Sequence, residues 1–180
     1  MPFLSRITLV SLLLTASVCL GQNRRPPTSY EDYGACPFEC CTYRRWSVNA
    51  NMLLYKQRST SSGVAFRVSK GDHVIGLTGV VVTVKPGEAV VKKAVTMGTG
   101  KQKARLKPGD VLYLLHYEGE GIYKIWFRGR IYEDEVETRE ESIHLVRKPD
   151  YVWWVKVKNR SGQVGWSKEN KNFGDMDACG

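Results

Sequence analysis

Cys36, Cys40 and Cys41 crowd into one short stretch, and Cys179 lies one residue from the C-terminus. Clustered thiols can hold zinc or form disulfides. Zinc sites combine paired C-x2-4-C units or nearby histidines, whereas His73, His116 and His144 stand singly among strand-forming residues. Disulfides are therefore expected, and no metal. A chain end normally frays and an isolated thiol there has no packing role, so Cys179 should be bridged to Cys36, Cys40 or Cys41. Direct pairing of Cys40 with Cys41 is disfavoured, because adjacent residues strain the bridge. The partner of Cys179 stays open among the three. Oxidation would also remove the alternative of a nucleophile at Cys40 or Cys41 with His116 or His144 as its base.

The remaining chemistry-bearing residues give little for catalysis. No Gly-x-Ser-x-Gly elbow, no His-Glu-x-x-His and no phosphate-cradling glycine loop occurs. Glu120 with Glu133, Asp134 or Glu135 could form a carboxylate pair for sugar hydrolysis, but acidic loops are ordinarily solvated faces. A non-catalytic protein without a cofactor is expected. Charge, by contrast, is unevenly spread. Lys92, Lys93, Lys101, Lys103, Arg105 and Lys107 occur without an acid among them, while residues 133–141 are strongly acidic. A basic run of this kind suits an anionic polymer, and Lys101, Lys103 and Arg105 are its candidate ligand-binding residues. The alternative is that the two runs neutralise each other. Trp153 and Trp154 are neighbours on an expected strand and must point to opposite faces. One of them should lie outward as a binding aromatic, unless a second unit covers it. Trp126 and Trp166 are expected at core or barrel-mouth positions, with Trp166 largely buried.

These residues need elements to position them, and the chain is punctuated for strands. Residues 53–55, 64–68, 73–77, 80–84, 111–117, 122–127 and 152–157 are rich in β-branched and aromatic side chains, each bounded by turn signals. Helical spacing is almost absent; only residues 133–143 could make a helical turn or two. Many short strands in a chain of 180 residues imply an all-β barrel or sandwich. Val68-Ser69-Lys70-Gly71-Asp72 and Leu106-Lys107-Pro108-Gly109-Asp110 are near-duplicates, a weak internal repeat. Before the strands, Arg6 and an apolar run over residues 7–20 have the form of a secretory signal peptide, residues 1–21, with a lipoprotein anchored at Cys19 as the rival. Residues 22–45 then read as a flexible leader carrying the cysteine cluster. No later run is long and apolar enough to span a bilayer. The formal charge of +9 would otherwise invite nucleic acid, but export separates the protein from it.

Trp46-Ser-Val-Asn-Ala-Asn-Met-Leu-Leu-Tyr-Lys, followed by Arg58-Ser-Thr-Ser-Ser and Val68-Ser-Lys-Gly-Asp, resembles the opening half of a bacterial SH3 (SH3b) domain. Trp154-Val155-Lys156-Val157 with Ser161-Gly162-Gln163-Val164-Gly165-Trp166 resembles its closing half. The halves stand about seventy residues apart, where the family has a short loop. The expectation is an SH3-like barrel from residues 46–79 plus 150–175, with residues 80–149 inserted as a second small β unit or second barrel. The resemblance implies recognition of cell-wall peptidoglycan or of a peptide by an exported, secreted or periplasmic protein. An envelope scaffold making protein–protein contacts is the alternative, since fold alone does not fix function.

Overall fold

The computed structural model describes residues 25–27 and 29–179. The expected signal peptide and Cys19 lie outside the described residues. Five strands come first: β1 (Tyr30–Tyr33), β2 (Arg45–Val48), β3 (Met52–Tyr55), β4 (Val64–Val68) and β5 (His73–Lys85). Next come β6 (Gly87–Val91), β7 (Val95–Met97), β8 (Ala104–Leu106), β9 (Val111–Gly119), β10 (Ile122–Phe127), β11 (Arg130–Glu135) and β12 (Ile143–Arg147). The chain ends with β13 (Asp150–Lys158), β14 (Val164–Ser167) and β15 (Phe173–Gly174). Its only helical pieces among the described residues are two 3-10 turns, Glu137–Arg139 and Asn170–Asn172. The fold is all-β, as the strand punctuation requires.

One curled sheet runs β15-β2-β5-β13-β14-β3-β4, with β1 added to β5. A second runs β11-β10-β9-β6-β12, beside the β7–β8 hairpin. Because Asp150 of β13 pairs with Lys85 of β5, the chain leaves the first sheet and re-enters it at neighbouring strand ends. The second unit is therefore inserted. The exchange falls at residues 86 and 149, so the first unit keeps residues 80–85 that the sequence placed in the insert.

Both units repeat one connectivity. In the first, β2 pairs with β5, the β3–β4 hairpin lies between them in sequence, and β13 and β14 extend the sheet beyond β5. A 3-10 turn then leads into β15, which returns to β2. In the second, β6 pairs with β9, β7–β8 is the intervening hairpin, and β10 and β11 extend beyond β9. Again a 3-10 turn leads into the last strand, β12, which returns to β6. The arrangement is compatible with a small SH3-like barrel that carries an inserted unit of the same connectivity. The duplicated turn sits at the same place in both. The Gly71 amide donates to the Val48 carbonyl and the Val48 amide to Asp72; Gly109, Val91 and Asp110 make the same pair of bonds. The Asp72 and Asp110 carboxylates each accept from the amide three residues back, at 2.7 and 2.8 Å. The glycines stand at φ 91° and 88°, a conformation that costs a side-chain-bearing residue strain.

Gly79, read as a strand break, and Gly76, inside the expected strand, both serve packing. Residues 73–77 and 80–84 form one continuous strand, β5. A Cβ on Gly76 would lie 2.6 Å from the Trp46 ring, and one on Gly79 would lie 2.3 Å from both Trp153 Nε1 and the Tyr43 hydroxyl. The glycines let rings lie flat against the strand. Trp46, Leu54, Phe66, Val81, Trp153 and Val155 are central to the first core; Met97, Leu106, Leu112, Tyr123 and Ile125 to the second. The expected leader is not structureless. Its Tyr30–Tyr33 segment pairs with Val80–Thr83 of β5, because the apolar strand has an edge there for polar residues to bond.

Candidate functional site

The basic run folds onto the β7–β8 hairpin. Met97 and Leu106 point into the second core, while Arg105, opposite Thr96, faces water. Gly98 is required at the turn: its φ is 92°, and a Cβ there would meet the Gln102 carbonyl oxygen at 2.1 Å. The Gly98 amide donates to Asp134 Oδ2 at 2.6 Å, Asp134 is held by Arg139 at 2.9 Å, and Arg139 donates to the Thr96 carbonyl at 3.0 Å. The acidic run thus fixes the hairpin rather than neutralising it. Glu133 pairs with Lys124 and Glu137 with Lys148, at 3.5 and 2.7 Å. Of the basic run, Lys93 alone meets the acidic run among the described residues, an exposed pair with Glu141 at 3.5 Å.

Lys101 and Lys103 are exposed at the hairpin tip and line a groove of 440 Å³ with Trp126, Arg130 and Tyr132. Lys101, Lys103, Arg105 and Arg130 join no ion pair among the described residues. Arg105 flanks this groove on β8 without lining it. Trp126 is half-buried on the outward face of β10, so it stands at the groove and not in the core. Alternation could have revealed this, since Tyr123, Ile125 and Phe127 take the inward positions. Trp166 is likewise half-buried, with Lys156 Nζ 5.6 Å and the Arg58 guanidinium 5.9 Å from its ring.

Trp153 and Trp154 are not surface ligands. They are 6% and 8% exposed. Trp153 lies in the first core, its Nε1 donating to the Ala35 carbonyl at 3.1 Å. Trp154 points the other way beside Val80, which is also buried. The two rings do take opposite faces, but both faces of the sheet are covered at that point.

A partly buried charge cluster around the buried His116 joins the two units. The register of β9, β10 and β11 sets His116, Lys124 and Glu133 in one cross-strand row, and Asp32 of β1 reaches it. Asp32 Oδ2 lies 2.9 Å from His116 Nε2 and 2.5 Å from Lys124 Nζ, with Glu118 3.3 Å from the same ammonium. Asp32, His116 and Glu118 are close enough together to share a metal, but the Lys124 ammonium already supplies the cation between the two carboxylates. A second thiol-and-carboxylate group, Glu39 with Cys40 and Cys179, is closed because those sulfurs bond each other.

Burial works to raise the Asp32 carboxyl, and the hydrogen bonds from His116 and Lys124 outweigh it, holding it below the ordinary carboxylate range. A carboxyl depressed on folding contributes stability that is complete above its unfolded pKa and is lost as pH falls through the lower folded value. Asp32→Asn is expected to cost about 1–3 kcal/mol at neutral pH and to flatten the stability profile in that acidic window. Urea titrations at neutral pH and at stepped acidic pH check this; an unchanged profile would contradict it.

Cys36 pairs with Cys41 and Cys40 with Cys179, at Cα separations of 5.5 and 5.6 Å. Neither Cys40 nor Cys41 therefore offers a thiolate. None of the described helices is long and apolar enough to cross a membrane. Comparison with protein-family models, with curated proteins and with solved structures finds no match to this chain.

Proposed function

We propose that this is an exported, non-catalytic binding module of bacterial SH3 type that takes cell-wall glycan, peptidoglycan in the first place, at the Lys101–Lys103–Trp126 groove. One observation carries the reading: an outward indole lies beside unpaired cations in a groove of 440 Å³. An aromatic face stacks on the apolar face of a sugar ring, and the cations suit the carboxylates of wall stem peptides. Two disulfides accord with an oxidising, extracytoplasmic compartment. The non-catalytic part rests on occupancy: the sulfurs are bridged, and of the candidate carboxylates Glu133 and Asp134 have cationic partners. An envelope scaffold role is the second reading, favoured by the exposed apolar side chains Ile75 and Leu77.

Purified peptidoglycan sacculi should retain the protein at moderate salt. Screening between exposed charges acts over about 8–10 Å, so retention should weaken but persist through the ring contact. Lys101→Glu with Lys103→Glu is expected to lower retention about tenfold, and Trp126→Ala comparably. Retention that ignores both changes overturns the groove assignment, and a parent protein that does not sediment with sacculi turns the reading to a protein partner.

A further inference from the structure

A second groove, of 830 Å³, lies on the first unit and is lined by Arg45, Arg67, His73, Ile75, Lys158 and Arg160, with Asp72 beside them. Its four permanent cations are exposed and join no ion pair among the described residues. Four arginines elsewhere, Arg58, Arg128, Arg139 and Arg147, each hold a carboxylate. Asp72 is committed to its own turn, accepting from the Ser69 amide at 2.7 Å. A cleft lined by charge of one sign focuses its field on ligands of the opposite sign.

The strand register explains the convergence. Arg45 on β2 and Lys158 on β13 are both partners of Ile75 on β5, so all three share the outward face. Strands stand about 4.8 Å apart, which puts the two cations on either side of an isoleucine that is 40% exposed. Arg160 projects from the β13–β14 turn. That turn is fixed by bonds between Asn159 and Gln163, including the Gln163 amide to Asn159 Oδ1 at 2.9 Å. Across the groove the 69–72 turn is fixed to Val48. Both walls are set before any ligand arrives, which lowers the ordering cost of binding.

The lining selects the occupant. It holds no Trp, Tyr or Phe, so it lacks the flat ring that suits a sugar. A uniform polyanion would leave Ile75 uncovered. An extended peptide presents every second side chain to one face, so a Glu-x-Val-x-Glu segment can set carboxylates on the cations and an apolar side chain on Ile75. The chain already takes one acidic strand in this manner: Glu31 of β1 pairs with Arg58 at 2.9 Å, Asp32 with Lys124 at 2.5 Å, and the Tyr33 ring lies 5.4 Å from the Arg58 guanidinium. We propose that this groove is a second binding site, independent of the glycan groove, for an extended acidic peptide segment of a partner protein. Its carboxylates pair with Arg45, Lys158 and Arg160 while an apolar side chain covers Ile75.

The test uses the intact, disulfide-bonded protein and a fluorescent Glu-Val peptide in which Glu and Val alternate on one face (repeats of Glu-Ser-Val-Ser), with a Glu-Gly counterpart that has Gly in place of Val, followed by anisotropy at physiological salt. Saturable binding is expected. Arg45→Glu with Lys158→Glu should weaken it about tenfold or more, Lys101→Glu with Lys103→Glu should leave it unchanged, and a Glu-Gly peptide should bind several-fold less tightly. Amide shifts in the parent protein, which need no variant, should centre on Ile75 and Arg160. Absence of saturable binding overturns the site. So does equal loss from both variant pairs, shifts centred on residues 101–103, or inorganic polyphosphate binding as tightly as the Glu-Val peptide.

Discussion

Trp153→Ala is expected to lower stability by about 3–5 kcal/mol. Trp153 packs edge-on against Phe38 and Trp46, with ring centroids 5.9 and 6.4 Å away. Its indole nitrogen satisfies the Ala35 carbonyl, which Tyr43 also approaches. Truncation empties this space and leaves Gly79 facing it, with no side chain of its own to fill the gap. Trp153→Phe retains much of the volume and loses the indole donor, so its cost should be nearer 1–2 kcal/mol. Trp166→Ala is the internal control. The ring is half-buried and lies beside two cations, so its removal should cost about 1 kcal/mol. At roughly 2–4 °C per kcal/mol for a chain of this size, thermal melts separate the two tryptophans easily. A Trp153→Ala protein melting within a few degrees of the parent, or below Trp166→Ala in its effect, would contradict this account of the core.

That contrast also shows where sequence reasoning reached and where it stopped. Strand existence was legible because β-branched and aromatic runs are local, and the duplicated Ser69–Asp72 and Lys107–Asp110 turns marked two equivalent units. Their equivalence extends to the whole strand order, which no spacing revealed, since the second unit interrupts the first. Gly79 was misread because a glycine that opens a turn and one that admits a ring look alike until the ring is placed. Tryptophan burial failed for a related reason. Matching the Gly165-Trp166 pattern said nothing of which face Trp166 occupies, whereas the Tyr123, Ile125 and Phe127 alternation would have placed Trp126 outward. Lys101 and Lys103 were visible as a run. Arg45, Arg67, Lys158 and Arg160 were not, because strands far apart in sequence bring them together one at a time. A lone outward arginine between buried neighbours, as in Phe66-Arg67-Val68, is the only local trace they leave.

Removing the bridge between Cys40 and Cys179 is expected to have the largest effect of all. The two residues are 139 positions apart, and closing a loop of that length restricts the unfolded chain by about 5 kcal/mol in the chain-entropy account. The Cys36–Cys41 bridge spans 5 positions and is worth only about 2 kcal/mol by the same account. Four cysteines allowed three pairings, and the backbone selects this one. Cys41 bridges to Asp177, the Ala178 amide donates to the Cys40 carbonyl at 2.9 Å, and Arg44 binds the Asp175 and Asp177 carbonyls. Those bonds lay the chain end alongside residues 40–44, and Cys40, in the left-handed region at φ 55°, turns away from Cys41 toward Cys179. The same bonds survive the loss of the sulfurs, so native structure should persist while the unfolded state gains freedom. The double variant Cys40→Ala with Cys179→Ala avoids a leftover thiol that could reshuffle with Cys36 or Cys41. Its urea midpoint should fall far below the parent's, and further than that of Cys36→Ala with Cys41→Ala. Non-reducing peptide mapping of the parent should recover the C-terminal peptide joined to the one containing Cys40. A C-terminal peptide that runs free, or equal midpoints for the two double variants, would show that the chain end is held by hydrogen bonds alone.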